Sequence, residues 1–295
     1  MRRQPRTPGS HATPVENATK PNRRPSVSHA RRVPWIALHQ RLVKEATLYR
    51  NPLGLPSLLL VGDSLMEAYR GPYMPQARNL TAVGYALQSV PVDARGVLAS
   101  TLSLDFPHKL ILACSADQTQ HVLWRLQEEL SASLRSDSSL FIGLLIGTNN
   151  LFNAQHSIEH TAQGILAVAR MLLERTHGRL LVHALLPRCD VHLLRQTCEP
   201  RLFNATIAVN ELVTHGINVD LALRFPGRVR REDCGHVFFE RSERRNRTAL
   251  MWRQLFADGV HPSLEGSRRL AACMRGAFAS WRGAAYNRSA HLLRV

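Results

Sequence analysis

Leu58-Leu59-Leu60-Val61-Gly62-Asp63-Ser64-Leu65-Met66-Glu67 is the stretch that decides the fold. Its unbroken apolar start, Leu58 to Val61, reads as a strand buried on both faces, which is the pattern of a parallel sheet covered by helices. A glycine, an acid and a serine then stop the run, and amphipathic sequence follows. Such a junction is where a parallel strand hands over to a helix, and it turns Ser64 out of the C-terminal edge of the sheet. A serine hydroxyl is a weak nucleophile without a base to take its proton and donors to receive the oxyanion. The base expected for Ser64 is His261, in Asp258-Gly259-Val260-His261.

Working outward, strand and helix signals alternate. Trp35, Leu38, Leu42 and Ala46 recur at helical spacing before the first strand. Lys109 to Cys114 reads as a second strand, followed by one helical face carrying Val122, Leu126, Leu130 and Leu134. Leu140 to Ile146 is a third strand, ended by Gly147-Thr148-Asn149-Asn150. The next helix carries Ile158, Ala162, Ile165, Ala169 and Leu172, with Ser157 as N-cap and Gly178 just past its end. Leu180 to Leu186 is the fourth strand. Pro200 opens a helix closed at Gly216, and a weaker strand lies around Val229 or Val237. The last helix follows Pro262, with Ser263 as cap and Leu270, Met274, Ala277 and Trp281 as its inner stripe. This alternation predicts an α/β fold, a flavodoxin-like three-layer α/β/α sandwich with a parallel sheet.

Three segments stand outside that pattern. Residues 1–32 hold eight Arg and Lys against the single Glu16 and few apolar residues, and read as a disordered basic tail. Residues 33–284 form the domain, with an insertion at 69–106 that carries Pro72, Pro75 and Pro91, no sustained period and at most one short helix. Residues 285–295 read as a C-terminal tail.

The net charge of +16 raises nucleic acid as a partner. The excess sits in the tail, which holds no Phe, Tyr or Trp, and in a cluster from Arg224 to Arg247, and specific nucleic-acid binding is not expected. No apolar run approaches the roughly 20 residues of a membrane span. Five cysteines without a C-x-x-C pair, Cys114, Cys189, Cys198, Cys234 and Cys273, read as reduced and mostly buried thiols. With no apolar h-region near Met1, the expectation is a cytoplasmic or organellar protein in preference to a secreted one, and the five N-x-S/T triplets at Asn17, Asn79, Asn204, Asn246 and Asn287 read as coincidental.

The polar strand ends converge on one chemistry. Asp258 can hold His261 in the tautomer that accepts the Ser64 proton. The oxyanion donors expected are the backbone N–H groups of Ser64 and Ala116 and the side chain of Asn149, with the dipole of the helix after Ser64 favouring negative charge. Each block alone has an ordinary reading: Gly-Asp-Ser as a turn, Gly-Thr-Asn-Asn as a capped loop, Asp-Gly-Val-His-Pro as a surface turn. Their joint order, each after the right kind of segment, carries the inference.

With these blocks the chain resembles the SGNH (GDSL-type) hydrolases. Within them it is similar to the catalytic subunits of cytosolic platelet-activating-factor acetylhydrolase, through Leu60-Val61-Gly62-Asp63-Ser64, Asp117-Gln118-Thr119-Gln120-His121-Val122-Leu123-Trp124-Arg125-Leu126, Ile146-Gly147-Thr148-Asn149-Asn150, Leu185-Leu186-Pro187-Arg188, and Asp258 with His261. The resemblance spans roughly Trp35 to Trp281. It implies Ser64 as nucleophile, His261 as base, Asp258 as orienting acid, Asn149 as oxyanion donor and Asp63 as a structural residue. It further implies a small acyl ester substrate, acetyl above all, of a lipid or similar alcohol, no metal or organic cofactor, and homo- or hetero-dimeric pairing. A glycan O-acetylesterase, or a weakly active scaffold of the same fold, is the alternative. There are two departures: Ala116, which stands where the family has glycine and narrows the pocket by a methyl group, and the stretch from Tyr69 to Phe106, which is longer than the family pattern implies between its first two blocks.

Overall fold

The computed structural model describes residues 16–23, 29–71, 93–152, 156–188, 200–242, 247–250 and 259–292. Five strands, β1 (Ser57–Gly62), β2 (His108–Ala113), β3 (Leu140–Leu145), β4 (Arg179–His183) and β5 (Val229–Glu232), form one sheet in the order β2-β1-β3-β4-β5. Every pairing in it is parallel. This is the flavodoxin-like order, and its topological switch point lies between β1 and β3. Every residue of β1 and β3 is buried, as their continuous apolar runs require of central strands covered on both faces. Gly62 ends β1 because no larger residue fits: a Cβ there would sit 2.3 Å from the Leu145 carbonyl oxygen of β3 and 2.9 Å from Met66 Cγ.

The helices that frame the sheet are α1 (His29–Leu48), α2 (Ser64–Glu67), α3 (Arg95–Ser100), α4 (Thr119–Glu129), α5 (Ala132–Ser136), α6 (Thr148–Phe152), α7 (Ile158–Arg175), α8 (Pro200–Gly216) and α9 (Leu264–Leu292). The expected stripe Trp35, Leu38, Leu42 and Ala46 is buried on α1, and Leu270, Met274 and Trp281 are buried on α9. One face of the sheet meets α9 through an edge-to-face cluster of Phe106, Phe141 and Phe278. The N-cap expected at Ser157 is present, its hydroxyl accepting from His160 N at 3.1 Å, and Ser263 accepts from Gly266 N at 3.1 Å.

Several boundaries differ from expectation for local reasons. The single helical face from Val122 to Leu134 is two helices, because Ser131 interrupts it and caps α5 by accepting from Leu134 N. α8 ends at Gly216 as expected, but the glycine keeps right-handed φ and the chain winds on through one π-helical turn, Ile217–Leu221. Val229 begins β5, whereas Val237 lies in a 3-10 turn, Cys234–Phe238. A two-stranded antiparallel ribbon, β6 (Phe239–Ser242) with β7 (Arg247–Leu250), was not foreseen.

The segments set apart by composition are more tightly held than composition indicates. Residues 16–23 lie against α4: Thr119 Oγ1 donates to the Ala18 carbonyl at 2.9 Å, Asn22 N donates to the Gln120 carbonyl at 3.1 Å, and Gln120 Nε2 donates to the Glu16 carboxylate at 2.9 Å. These anchors are backbone groups and one carboxylate, which apolar content does not register. Residues 285–292 continue α9. Of the 69–106 stretch, residues 72–92 lie outside the described residues. Its ends meet where Ala94 N donates to the Ala68 carbonyl at 2.9 Å, and Tyr69, Val97, Leu102 and Phe106 are buried in the core.

The cysteine reading requires correction. Cys234 and Cys273 form a disulfide with Cα atoms 5.8 Å apart, joining the turn after β5 to α9. Their separation of 39 residues gave no spacing signal; only the packing of α9 on that turn brings them together. Cys114 is buried, and Cys189 and Cys198 lie outside the described residues.

One buried group makes the fold pH-sensitive. His183, at the end of β4, is buried, both ring nitrogens lack a hydrogen-bond partner among the described residues, and the Phe278 ring stands edge-on to it. Burial pulls its pKa down to about 4. A group whose folded-state pKa lies below its unfolded value of about 6.5 contributes stability above that value and loses it as pH falls toward 4. His183→Leu is therefore expected to retain stability at pH 7 and to remove on the order of 3 kcal/mol of acid sensitivity across that window, read from urea unfolding at pH 7 and at pH 4.5.

Candidate active site

The switch point brings three loops to one edge. Gly62 is in register with Ala113 of β2 and with Leu145 of β3, so Asp63-Ser64, Cys114 to Asp117 and Gly147 to Asn150 emerge side by side. Asp63 caps α2, its Oδ1 accepting from Leu65 N at 3.0 Å. This helix is only four residues long, so its macrodipole adds little and the individual N–H groups at its start must supply any anion stabilisation.

Ser64 is 6% exposed, and His261 Nε2 lies 2.8 Å from its hydroxyl oxygen. Two candidates far apart in sequence thus meet as a hydroxyl and a base. Asp258, the third, lies outside the described residues.

Ala116 is the one non-glycine residue with positive φ among the described residues, at 62°. The left-handed region costs an alanine roughly 1 kcal/mol relative to glycine. What holds it there is a set of bonds to both neighbours. Ser115 donates from its backbone N–H, at 2.8 Å, and from its hydroxyl to the buried Glu67 carboxylate. On the other side Asp117 is fully buried, with Oδ1 accepting from Trp35 Nε1 at 2.8 Å and Oδ2 from Arg125 Nε at 2.7 Å. Arg125 also binds Glu129, whose other oxygen faces His39 Nδ1 at 2.9 Å. Burial disfavours the Arg125 charge, but the carboxylates of Glu129 and Asp117 more than offset it and keep the guanidinium protonated.

Asn149 Nδ2 donates to the Asp117 carbonyl at 2.9 Å and faces Asp63 Oδ2 at 3.3 Å. The Asn149 amide is thereby tied to both neighbouring loops. Burial raises the Asp63 pKa to about 7, while the N–H of Leu65 works against that shift. Its carboxyl is therefore substantially protonated at neutral pH, which limits the negative charge beside the amide. Next to Asn149, Asn150 accepts from Thr119 N at 3.1 Å, and Arg188 donates to the Thr148 carbonyl and hydroxyl, both at 3.2 Å.

Sequence reading singled out Ser64, Ala116, Asn149 and His261, and it missed the residues that hold them. Glu67, Trp35, Arg125 and Glu129 all lie within or beside quoted stretches. For Arg125 and Glu129 the signal was a charged residue at a helix position of α4 that the apolar period assigns to the interior.

No protein-family model matches the chain. Among curated proteins it is similar to platelet-activating factor acetylhydrolase IB subunit alpha1 of Bos taurus and of Homo sapiens, each 28% identical over 182 residues that make up 61% of this chain and 58% of the relative. The match thus spans less than two thirds of those relatives' length. Among solved structures it is similar to a Streptococcus pneumonia protein described as a platelet activating factor, with a TM-score of 0.54 and 14% identity over 83% of this chain and 92% of the other. It is also similar to a single-residue variant of Axe2, an acetyl xylan esterase from Geobacillus stearothermophilus, with a TM-score of 0.48 and 15% identity over 75% and 95% of the two chains. With the Streptococcus pneumonia protein it shares the fold, an α/β sandwich around a parallel sheet.

Removing the cation from the buried cluster leaves two carboxylates without their partner. Arg125→Met is expected to cost about 3–5 kcal/mol, measured as a lower urea midpoint with an unchanged slope. A midpoint within experimental error of the parent contradicts the importance assigned to this cluster.

Proposed function

We propose that this chain, built on the SGNH hydrolase fold, is a serine esterase that cleaves short acyl esters, acetyl esters above all. The observation that carries the reading is the 2.8 Å contact between His261 Nε2 and Ser64 Oγ at the switch point of the sheet. A hydroxyl at that distance from an imidazole nitrogen can pass its proton to the ring as it attacks a carbonyl carbon. In this mechanism the C–O π electrons move onto oxygen, giving a tetrahedral oxyanion. The imidazolium returns its proton to the departing alcohol as the ester C–O bond breaks. Water, deprotonated by His261, then attacks the acyl-serine; the acid leaves and Ser64 recovers its proton.

The oxyanion would rest on the N–H groups of Ser64 and Ala116 and on Asn149 Nδ2, with Asp258 orienting His261. The 2.9 Å bond to the Asp117 carbonyl fixes the plane of the Asn149 amide, and the long 3.3 Å contact to Asp63 is the one it can exchange for the oxyanion. The relatives named as acetylhydrolases of platelet-activating factor support an acetyl group carried on a lipid alcohol. The methyl group of Ala116 favours the same short acyl chain, since it occupies space that glycine leaves open.

A fluorophosphonate probe tests the nucleophile. The parent protein is expected to label at a single serine and Ser64→Ala to lose the label while keeping the parent's far-ultraviolet circular dichroism; a parent that does not label overturns the reading. The acyl-length argument has its own test. Ala116→Gly is expected to raise kcat/KM for p-nitrophenyl butyrate relative to acetate severalfold, and an unchanged ratio removes Ala116 from the specificity account.

A further inference from the structure

The disulfide and the acceptor triplets, read separately, each had an ordinary explanation; together they point to one compartment. Disulfides persist in oxidising environments and are rare where thiols are kept reduced. Cys234–Cys273 is structural in its setting: Cys234 is fully buried, and the bond joins the turn after β5 to the long helix that covers one face of the sheet. The chain has twelve asparagines and, among its 295 residues, 34 serines and threonines. Chance placement at that composition gives roughly one or two N-x-S/T triplets; the chain has five.

In two of these triplets the burial of the acceptor and of its hydroxyl residue is described. In Asn17-Ala18-Thr19 the asparagine is exposed while Ala18 faces inward and is 2% exposed. Thr19 donates to Asn17 Oδ1 from its backbone N–H at 2.9 Å and from its hydroxyl at 2.7 Å. In Asn204-Ala205-Thr206 the asparagine is exposed on α8 and the threonine is buried. In both, the acceptor is exposed and a following residue of the triplet is buried, so the segment is anchored while the asparagine stays open to a large substituent.

We propose that the chain matures in an oxidising, glycosylating compartment and carries N-linked oligosaccharide at Asn17, with Asn204 as a second acceptor. The co-substrate is a lipid-pyrophosphate-linked oligosaccharide, supplied with its transferase by that compartment. Asn Nδ2 forms a bond to the anomeric carbon, the bond from that carbon to the pyrophosphate oxygen breaks, the lipid pyrophosphate leaves, and the Nδ2 proton is lost to base. At Asn17 both hydrogen bonds from Thr19 use Oδ1, so substitution at Nδ2 leaves the turn intact. This reverses the reading of the triplets as coincidental and of the cysteines as reduced, and it is independent of the esterase proposal.

The test uses the full chain isolated from its native cells in the presence of an alkylating agent. Peptide N-glycosidase treatment in 18O water is expected to lower the mass of the intact protein and to convert Asn17 to labelled aspartate, with Cys234 and Cys273 alkylated only after reduction. Asn17→Gln, an exposed substitution, is expected to remove one glycan's mass and leave the disulfide in place. Recovery of Asn17 as unlabelled asparagine overturns the proposal, as does alkylation of Cys234 and Cys273 without prior reduction.

Discussion

The geometry of the candidate active site depends on a charge buried where the apolar pattern calls for none. Arg125 is fully enclosed and joins Asp117, on the loop after β2, to Glu129, one turn further along α4. A buried ion pair is seldom a large net gain in stability, because desolvation consumes most of the Coulombic attraction. Its value here is positional. With Trp35 on its other oxygen, Asp117 cannot rotate, so its carbonyl stays where Asn149 meets it and the preceding Ala116 stays at φ 62°. The loop is clamped from behind by α1 and α4, elements that contribute nothing to the reacting edge.

The same division runs through the rest of the site. Gly62 allows β1 and β3 to approach and turns the chain sharply into α2, Glu67 holds Ser115, and Arg188 holds Thr148. The loops after β2 and β3 are each fastened by a different buried polar residue. Such a site can keep its donors in place without support from the substrate, which is what stabilising a transient oxyanion demands.

How much of this was legible follows from the kind of signal each feature leaves. Four of the five parallel strands were legible because buried strands write continuous apolar runs, and the candidate residues Ser64, Ala116 and Asn149 because each follows such a run; β5, with the sequence Val-Arg-Arg-Glu, writes no such run and was legible only as a weak strand around Val229 or Val237. Ser64 and His261 are paired by sequence order and meet at 2.8 Å. Asp258 lies outside the described residues, so its part rests on sequence. The disulfide was illegible because 39 residues of folded chain separate its halves, and the seating of residues 16–23 because its bonds are made by backbone groups. The α4/α5 break depended on whether Ser131 continued a helix or capped the next one, which tertiary packing decides.

The most direct test of the central claim is a crystal structure of the fluorophosphonate adduct. The account predicts phosphorus bonded to Ser64 Oγ, with its free oxygen about 2.7–3.1 Å from the Ala116 nitrogen and from Asn149 Nδ2, and His261 Nε2 facing the ester oxygen. An adduct on another residue, or one on Ser64 whose oxygen points away from both donors, would contradict it.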